Sequence, residues 1–94
     1  MIARYDSEAH SLAIGLLPRT DHTDVAEVAP NTIVGLRDAS PVMIEVVRLD
    51  LVGLAGLDAA ASRYGLDPVA LRAAAEAAVA AADRDVTVEV GAAG

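Results

Sequence analysis

The hydrophobic pattern changes its period near residue 50, and this change constrains the fold more than any other feature. Before it, apolar residues alternate with polar or small ones, which is the pattern of half-buried strands. After it, they recur at intervals of three and four, which is the pattern of an amphipathic helix. The chain therefore predicts a sheet in its first half and helices in its second.

The first half contains four to five short strands separated by turns. The clearest strand is VMIEVVRL, in which Val42, Ile44 and Val46 share a face, and SLAIGLL shows the same alternation. The intervening segments are rich in Pro, Asn and Asp, which favour turns. They are too short for crossover helices, so we expect an antiparallel β-meander over residues 2–49.

The second half predicts a helical hairpin over residues 50–83. Asp50 is expected to cap the first helix and Gly65 to end it. Asp67 is expected to cap the second helix, with Pro68 at its first position. The inner positions of the first helix are Leu54, Leu57, Ala61 and Tyr64. Those of the second are Leu71, Ala74, Ala75, Ala78, Val79 and Ala82.

A final strand is predicted over residues 85–90, because Val86, Val88 and Val90 alternate with polar residues. Residues 91–94 read as a frayed tail. The whole chain, 1–94, is then one α+β domain: a meander, two helices and a C-terminal strand. Whether the last strand pairs within the chain or across a dimer is left open by the sequence.

The core is expected to be poor in large side chains. The chain has no Phe, Trp or Cys and only two Tyr, although 54% of it is hydrophobic. Many of the apolar residues are Ala, whose burial removes little apolar surface from water. A domain of 94 residues has a thin stability margin, so we expect a second copy to cover part of its surface as a homodimer.

The charge pattern disfavours several classes of partner. The formal net charge is −7, with 14 acids, seven Arg and no Lys, and both halves are acidic. A basic patch for nucleic acid is missing, and anionic lipid would repel the surface. The absence of Cys excludes disulfides and thiolate sites. Neither a signal peptide nor a membrane-spanning segment is predicted, so we expect a cytoplasmic bacterial protein.

The stretch ARYDSEAHSLAIGL, followed by VAEVAPNTIVGLRDASPVMIEVVRLD, resembles the YuzE-like family of small uncharacterised bacterial proteins. The resemblance covers residues 2–51. The matching positions are Tyr5, Asp6, Glu8, Ala9, Leu12, Ile14, Leu16, Glu27, Val28, Ile44 and Glu45. The family usually has an acid at His10, an aromatic residue at Ala13 and a Gly at Asn31. It has no established activity, and because some relatives are encoded beside toxin-like proteins, the resemblance implies an antitoxin-like role.

Asp6, Glu8 and His10 are the first candidate site, because carboxylates and imidazole bind metals and move protons. Alternate residues share a face only within a strand, and this segment is predicted to be a turn. We therefore expect Asp6 to accept backbone hydrogen bonds in the turn, Glu8 to be solvated and His10 to start the next strand. The resemblance agrees, since an acid at the position of His10 means that imidazole chemistry is not needed there.

Asp21, His22 and Asp24 form a second polar loop that could complete a metal site with the first. Consecutive loops of a meander lie at opposite ends of the sheet, so we expect the two clusters to be separated by a strand length.

The glycines Gly35, Gly53 and Gly56 form no phosphate loop. Four serines lie in no nucleophile-elbow context: Ser7, Ser11, Ser40 and Ser62.

The helical half offers few candidates for chemistry. Tyr64 is expected to pack on the sheet with its hydroxyl at the rim. Arg63, Arg72 and Arg84 could form a face for an acidic partner, although such charges more often only solvate a helix.

The sequence thus favours a non-catalytic protein–protein interaction module, antitoxin-like and homo-oligomeric, with a toxin-like partner encoded nearby. It predicts no catalytic residue, no metal site and no cofactor. One alternative is a small-ligand or metal-using enzyme on the sheet face. A weaker one is a transcriptional regulator, which would need a dimer to bring together Arg4, Arg19, Arg37 and Arg48.

Overall fold

The computed structural model describes residues 1–89 of the chain. These residues form one sheet of six strands and three helices, of which the first is a single turn. The strands are β1 (Ile2–Asp6), β2 (Ser11–Gly15), β3 (Asp24–Ala29), β4 (Thr32–Arg37), β5 (Ser40–Val46) and β6 (Val86–Thr87). The helices are α1 (Leu49–Val52), α2 (Ala55–Tyr64) and α3 (Pro68–Ala80).

The strands pair antiparallel in the order β3-β4-β5-β2-β1-β6. The predicted α+β class, with five N-terminal strands, then helices and a C-terminal strand, is confirmed. One connection differs from a simple meander, because β2 pairs with β5, with Ile14 opposite Ile44, and not with β3. The chain therefore crosses from the middle of the sheet to its edge over residues 16–23, which we call the crossing loop.

The turns between strands are tight and use left-handed backbone. His10 and Asn31 have φ of 56° and 59° in the first and second hairpins. Asp38 and Ala39 alone join β4 to β5, with φ of 53° and 64°. Positive φ at both residues of a two-residue loop is typical of a type I′ turn, whose twist matches that of the flanking strands. Ala39 occupies a position where Gly is usual.

The helix ends follow the sequence pattern in α3 but not in α1. Asp67 caps α3 by accepting from the amide of Val69 at 2.9 Å, with Pro68 next to it, and Gly65 ends α2 at φ 66°, as predicted. The prediction that Asp50 caps the first helix is wrong. The chain turns at Arg48, whose φ is 58°, and forms only a four-residue helix before it is interrupted at Gly53.

The helices cover one face of the sheet, with α2 over β3 to β5 and α3 over β1 and β2. Val42, Ile44 and Val46 point inward and are buried, as predicted. Among residues 1–89 the buried apolar positions number fourteen, and six of them are Ala, so the core is as poor in large side chains as the composition predicts. Within this part of the chain, no helix has the length and apolar content to cross a bilayer.

Two of the predicted inner positions of α3 are wrong. Leu71, Ala74, Ala75 and Ala78 are buried, but Val79 is 42% exposed and Ala82 is exposed as well. Val79 lies on the flank of the helix, turned toward α1 rather than toward the sheet. Ala82 follows the end of α3 at Ala80 and belongs to the next turn.

The last strand pairs within the chain. Ala3 lies opposite Val86 and Ile2 opposite Thr87, so β6 extends the sheet beside β1. The pairing continues at Val88, whose amide donates to the carbonyl of Met1 at 2.8 Å. The predicted strand is longer than the observed one, which covers Val86–Thr87, and its last residue, Val90, lies outside the described residues, as does the predicted tail.

The close approach of helix α2 to the sheet depends on Gly56. A methyl group at this position would collide with Oγ1 of Thr32 and lie 2.7 Å from its Cβ. Thr32 is fully buried in β4, and its hydroxyl donates to the carbonyl of Pro30 at 3.2 Å. Gly56 thus sets the spacing between α2 and the sheet.

Candidate functional site

The first candidate, Asp6, Glu8 and His10, forms a hairpin turn. Oδ1 of Asp6 accepts hydrogen bonds from the amides of Glu8 at 2.9 Å and Ala9 at 3.1 Å, as predicted. Glu8 is exposed. His10 closes the turn in left-handed backbone and does not start β2, which begins at Ser11, so that detail of the prediction is wrong. Only the side chain of Asp6 thus holds the turn, and the three side chains do not form a metal site.

His10 is drawn into a different cluster, at the end of β5. Its Nδ1 lies 3.1 Å from Oη of Tyr5, and its carbonyl accepts from the amide of Leu49 at 2.8 Å. Next to it, Arg48 binds Asp50 through two hydrogen bonds, Nε to Oδ1 at 2.9 Å and a terminal nitrogen to Oδ2 at 2.6 Å. We call Tyr5, His10, Arg48 and Asp50 the hairpin-end cluster.

The pKa shifts in the hairpin-end cluster are those of a structural ion pair and not those of a proton-transfer site. The hydrogen bond from Arg48, with lesser help from the charges of Arg48 and His10, lowers the pKa of Asp50 from 3.8 to about 2. The same hydrogen bond from the other side raises the pKa of Arg48. A general base works best with a pKa near the working pH. This carboxylate is therefore a poor proton acceptor near neutral pH.

A second contact fastens the first hairpin turn to the far end of the chain. Asp83 accepts from the amide of Ser7 at 2.9 Å and from its hydroxyl at 2.6 Å. These two bonds from Ser7 lower the pKa of Asp83. The amide of Asp83 in turn donates to the carbonyl of Tyr5 at 2.8 Å. Ser7, considered as a nucleophile by its residue type, is therefore a structural donor.

The second polar loop lies at the opposite end of the sheet, as predicted. The crossing loop begins where the amide of Leu16 donates to the carbonyl of Val42 near the start of β5, whereas His10 lies at the end of that strand. Nδ1 of His22 lies 3.0 Å from the carbonyl oxygen of Thr20, and Asp24 is the first residue of β3. Within residues 1–89, no three His, Asp or Glu side chains are placed to hold a metal ion.

The crossing loop is fixed to the sheet by an ion pair and by glycine. Asp21 lies between Arg19 at 3.2 Å and Arg37 at 2.9 Å. Desolvation would raise the pKa of Asp21, but the hydrogen bond from Arg19 and the two positive charges together lower it. The ring of His22 lies over Gly35, where a methyl group would be 2.9 Å from its Cγ. Gly35 thus serves close packing of the loop and not phosphate binding.

The predicted arginine groupings do not form a basic surface. The four that a regulator would need each contact a carboxylate: Arg4 with Asp85, Arg19 and Arg37 with Asp21, and Arg48 with Asp50. The three of the helical half lie on different elements. Arg63 lies over the half-buried ring of Tyr64 at 5.4 Å, Arg72 binds Asp58 and Arg84 follows α3.

The solvent-facing side of α3 is a feature that the sequence analysis missed. We call it the outer α3 face, and it consists of Val69, Arg72, Ala73, Glu76, Val79 and Ala80. Val69 is 74% exposed. A groove of about 340 Å³ lies beside the C-terminal half of this face, with Glu76, Val79 and Ala80 on its α3 wall and Leu49 and Leu54 on its far wall.

The sequence contains a signal for this face. Pro68–Ala80 includes only two charged residues, Arg72 and Glu76, so the helix is apolar around most of its circumference. An amphipathic surface helix would instead carry charges along its whole outer side. The helical spacing identifies the buried face correctly. The apolar residues on the opposite side of the helix are the signal for an exposed apolar face.

Comparison with known protein families, with curated proteins and with solved structures finds no match to this chain.

Proposed function

We propose that the chain is a non-catalytic protein–protein interaction module that acts as a homodimer. The observation that carries this proposal is the exposure of large apolar side chains on the helical layer. Leu51 in α1 is 70% exposed and Val69 in α3 is 74% exposed. Between these two helices, Leu49, Leu54 and Val79 line one apolar groove, and contiguous exposed apolar surface is characteristic of sites that bind other proteins.

The polar side chains support a non-catalytic role. Asp6 and Asp83 accept hydrogen bonds that hold the hairpin turn, and Asp50 is paired with Arg48. These carboxylates are already engaged in holding the fold. A catalytic site would instead need groups that converge on a substrate and carry pKa values suited to proton transfer.

The thin core supports self-association. Six of the fourteen buried apolar residues within 1–89 are Ala, and each contributes little buried area. A partner that binds only the folded chain stabilises it by mass action. Other copies of the chain are present wherever the chain itself is present, so self-association is the simplest source of this stabilisation.

The antitoxin-like role is the more specific part of the proposal. It rests on the resemblance of residues 2–51 to the YuzE-like family, and the net charge of −7 suits a basic protein partner. Co-expression with the neighbouring open reading frame tests it. We expect relief of growth inhibition and co-purification of the two chains, and failure of both would overturn this part.

The homodimer is tested by sedimentation of the full chain over a range of micromolar concentrations. We expect a species of twice the 9.6 kDa chain mass that grows with concentration. A single species of chain mass at every concentration would overturn the homodimer.

A further inference from the structure

We propose that the second copy binds through the outer α3 face, with the two α3 helices antiparallel about a two-fold axis level with Ala74. This inference rests on the homodimer proposed above and specifies its interface. It is carried by three properties of the face: its apolar character, the placement of its two charges, and the match between a protruding valine and a groove.

The apolar character shows that α3 has more surface to bury than its own chain covers. Leu71 and Ala74 are buried against the sheet, yet Val69 and Val79 are 74% and 42% exposed on the other side. Helices that are apolar all round are ordinarily buried on all sides. Ala73 and Ala80 on the same face have no bulk beyond Cβ, so a second helix can approach closely.

The charges fit a second copy in antiparallel orientation. Arg72 and Glu76 lie two residues before and two residues after Ala74. A two-fold axis level with Ala74 therefore sets Arg72 against the partner's Glu76, and Glu76 against the partner's Arg72. A parallel pair would set each charge against its own copy, which is repulsive. The face is complementary to itself in one orientation only.

The apolar groups fit the same arrangement. Val69 lies five residues before Ala74, and Val79 five residues after it, so the axis brings Val69 beside the partner's Val79 and the partner's Ala80. Val79 and Ala80 belong to the α3 wall of the groove of about 340 Å³. The most exposed valine of α3 thus faces an apolar groove on the other copy.

The small size of the face fits a weak dimer. A 13-residue helix is about 20 Å long, so the pair forms a small interface. Interfaces below about 1,200 Å² in total are characteristic of weak or transient complexes. We therefore expect a dimer that dissociates on dilution, with a Kd on the order of micromolar.

A charge exchange tests the orientation. Arg72→Glu sets a carboxylate against the partner's Glu76, and Glu76→Arg sets a guanidinium group against the partner's Arg72. Each single variant is therefore expected to weaken the dimer at least tenfold. The double variant Arg72→Glu/Glu76→Arg restores opposite charges, and so does an equimolar mixture of the two single variants. We expect both to dimerise like the wild type.

These variants distinguish a loss of contacts between the two copies from a loss of contacts within one chain. Arg72 also binds Asp58 within the chain, with Nε 3.2 Å from Oδ1, and both Arg72→Glu and the double variant lose that contact. Recovery of the dimer in the double variant therefore excludes loss of the Asp58 contact as the cause. Arg19→Glu in the crossing loop and Glu27→Arg in β3 make the same charge changes on elements other than α3, and both are expected to leave the dimer intact.

Cysteine cross-linking tests the register, because the chain has no native Cys. In the antiparallel pair, two copies of Ala73→Cys are offset by only about 3 Å along the helix axes, whereas two copies of Val69→Cys are offset by about 15 Å. We expect a disulfide-linked dimer for Ala73→Cys and none for Val69→Cys. Equal cross-linking of both would indicate parallel helices and overturn the inference.

The outcomes distinguish this inference from the function on which it rests. A wild-type chain that stays monomeric overturns the homodimer and the interface together. A wild-type dimer that survives both single charge variants overturns the α3 interface and leaves the homodimer standing.

Discussion

The carboxylate of Asp83 binds Ser7 twice, through the backbone amide at 2.9 Å and through the hydroxyl at 2.6 Å. The two residues are 76 positions apart, so this contact fastens the segment after α3 to the first hairpin. The two-residue strand β6 follows closely. It is short, and this contact fixes where it begins along β1.

Removing the Asp83 carboxylate is expected to loosen β6. Asp83→Ala removes both acceptors and places Ala at φ 67°, so we expect faster hydrogen exchange at the amide of Val88 and a lower urea midpoint. Asp83→Asn keeps an acceptor and tolerates this φ, so its effect should be smaller. Asp85→Ala, which removes only the exposed pair with Arg4, is the control. Equal exchange in all three variants would contradict this role.

Replacing Ala39 by glycine is expected to stabilise the protein. Ala39 has φ 64° in the two-residue turn between β4 and β5, and left-handed backbone costs a non-glycine residue about 1–2 kcal/mol. Glycine avoids this cost but loses more chain entropy on folding, so we expect a net gain of about 1 kcal/mol in the free energy of unfolding. Chemical denaturation measures it, and Ala59→Gly within α2 is the opposite control, expected to destabilise. An unchanged or lower stability for Ala39→Gly would contradict the strain.

Gly56→Ala is expected to destabilise the protein by about 1–3 kcal/mol, because the added methyl group meets the buried side chain of Thr32. The higher helix propensity of Ala would by itself stabilise α2, so a decrease in the free energy of unfolding indicates that the collision with Thr32 dominates. Combining it with Thr32→Ala removes Oγ1 and Cγ2 from the collision. A double-mutant cycle by chemical denaturation should then show strong coupling, and strict additivity of the two changes would argue against the contact.

Acid is expected to destabilise the fold below about pH 4. The pKa values of Asp21, Asp50 and Asp83 are lowered in the folded chain, that of Asp50 from 3.8 to about 2. Protons therefore bind the unfolded chain more readily, and the stabilisation present above the unfolded pKa is lost as the pH falls toward 2. Urea midpoints between pH 5 and pH 2 measure this slope. Asp50→Asn should flatten it, and an unchanged slope would show that the Arg48 contact is absent.

Local chemistry made much of the fold predictable. Alternation in VMIEVVRL places Val42, Ile44 and Val46 in the core, because successive side chains of a strand point to opposite faces. Asp67 and Gly65 mark helix ends, because capping depends on neighbouring backbone groups. The turn role of Asp6 was predictable for the same reason.

Contacts between distant residues were not predictable in the same way. The pairing of β2 with β5 depends on how two hairpins pack together, and no local signal in the crossing loop specifies it. Arg48 adopts left-handed backbone because the chain must turn from β5 toward His10, whose carbonyl binds the amide of Leu49. Val79 lies on the flank of α3, and helical periodicity alone does not show that the groove beside Leu49 and Leu54 leaves it 42% exposed.

The crossing loop also divides the first five strands into two groups that can form separately. β1 with β2, and β3 with β4 and β5, are joined by short turns, so each group can close early at small entropic cost. The pair between Leu12 and Val46 joins residues more than thirty positions apart. Folding is therefore expected to proceed by docking of two locally formed pieces, with the β2–β5 seam as the slow step. Destabilising that seam should slow folding, whereas lengthening the crossing loop should change the rate only weakly.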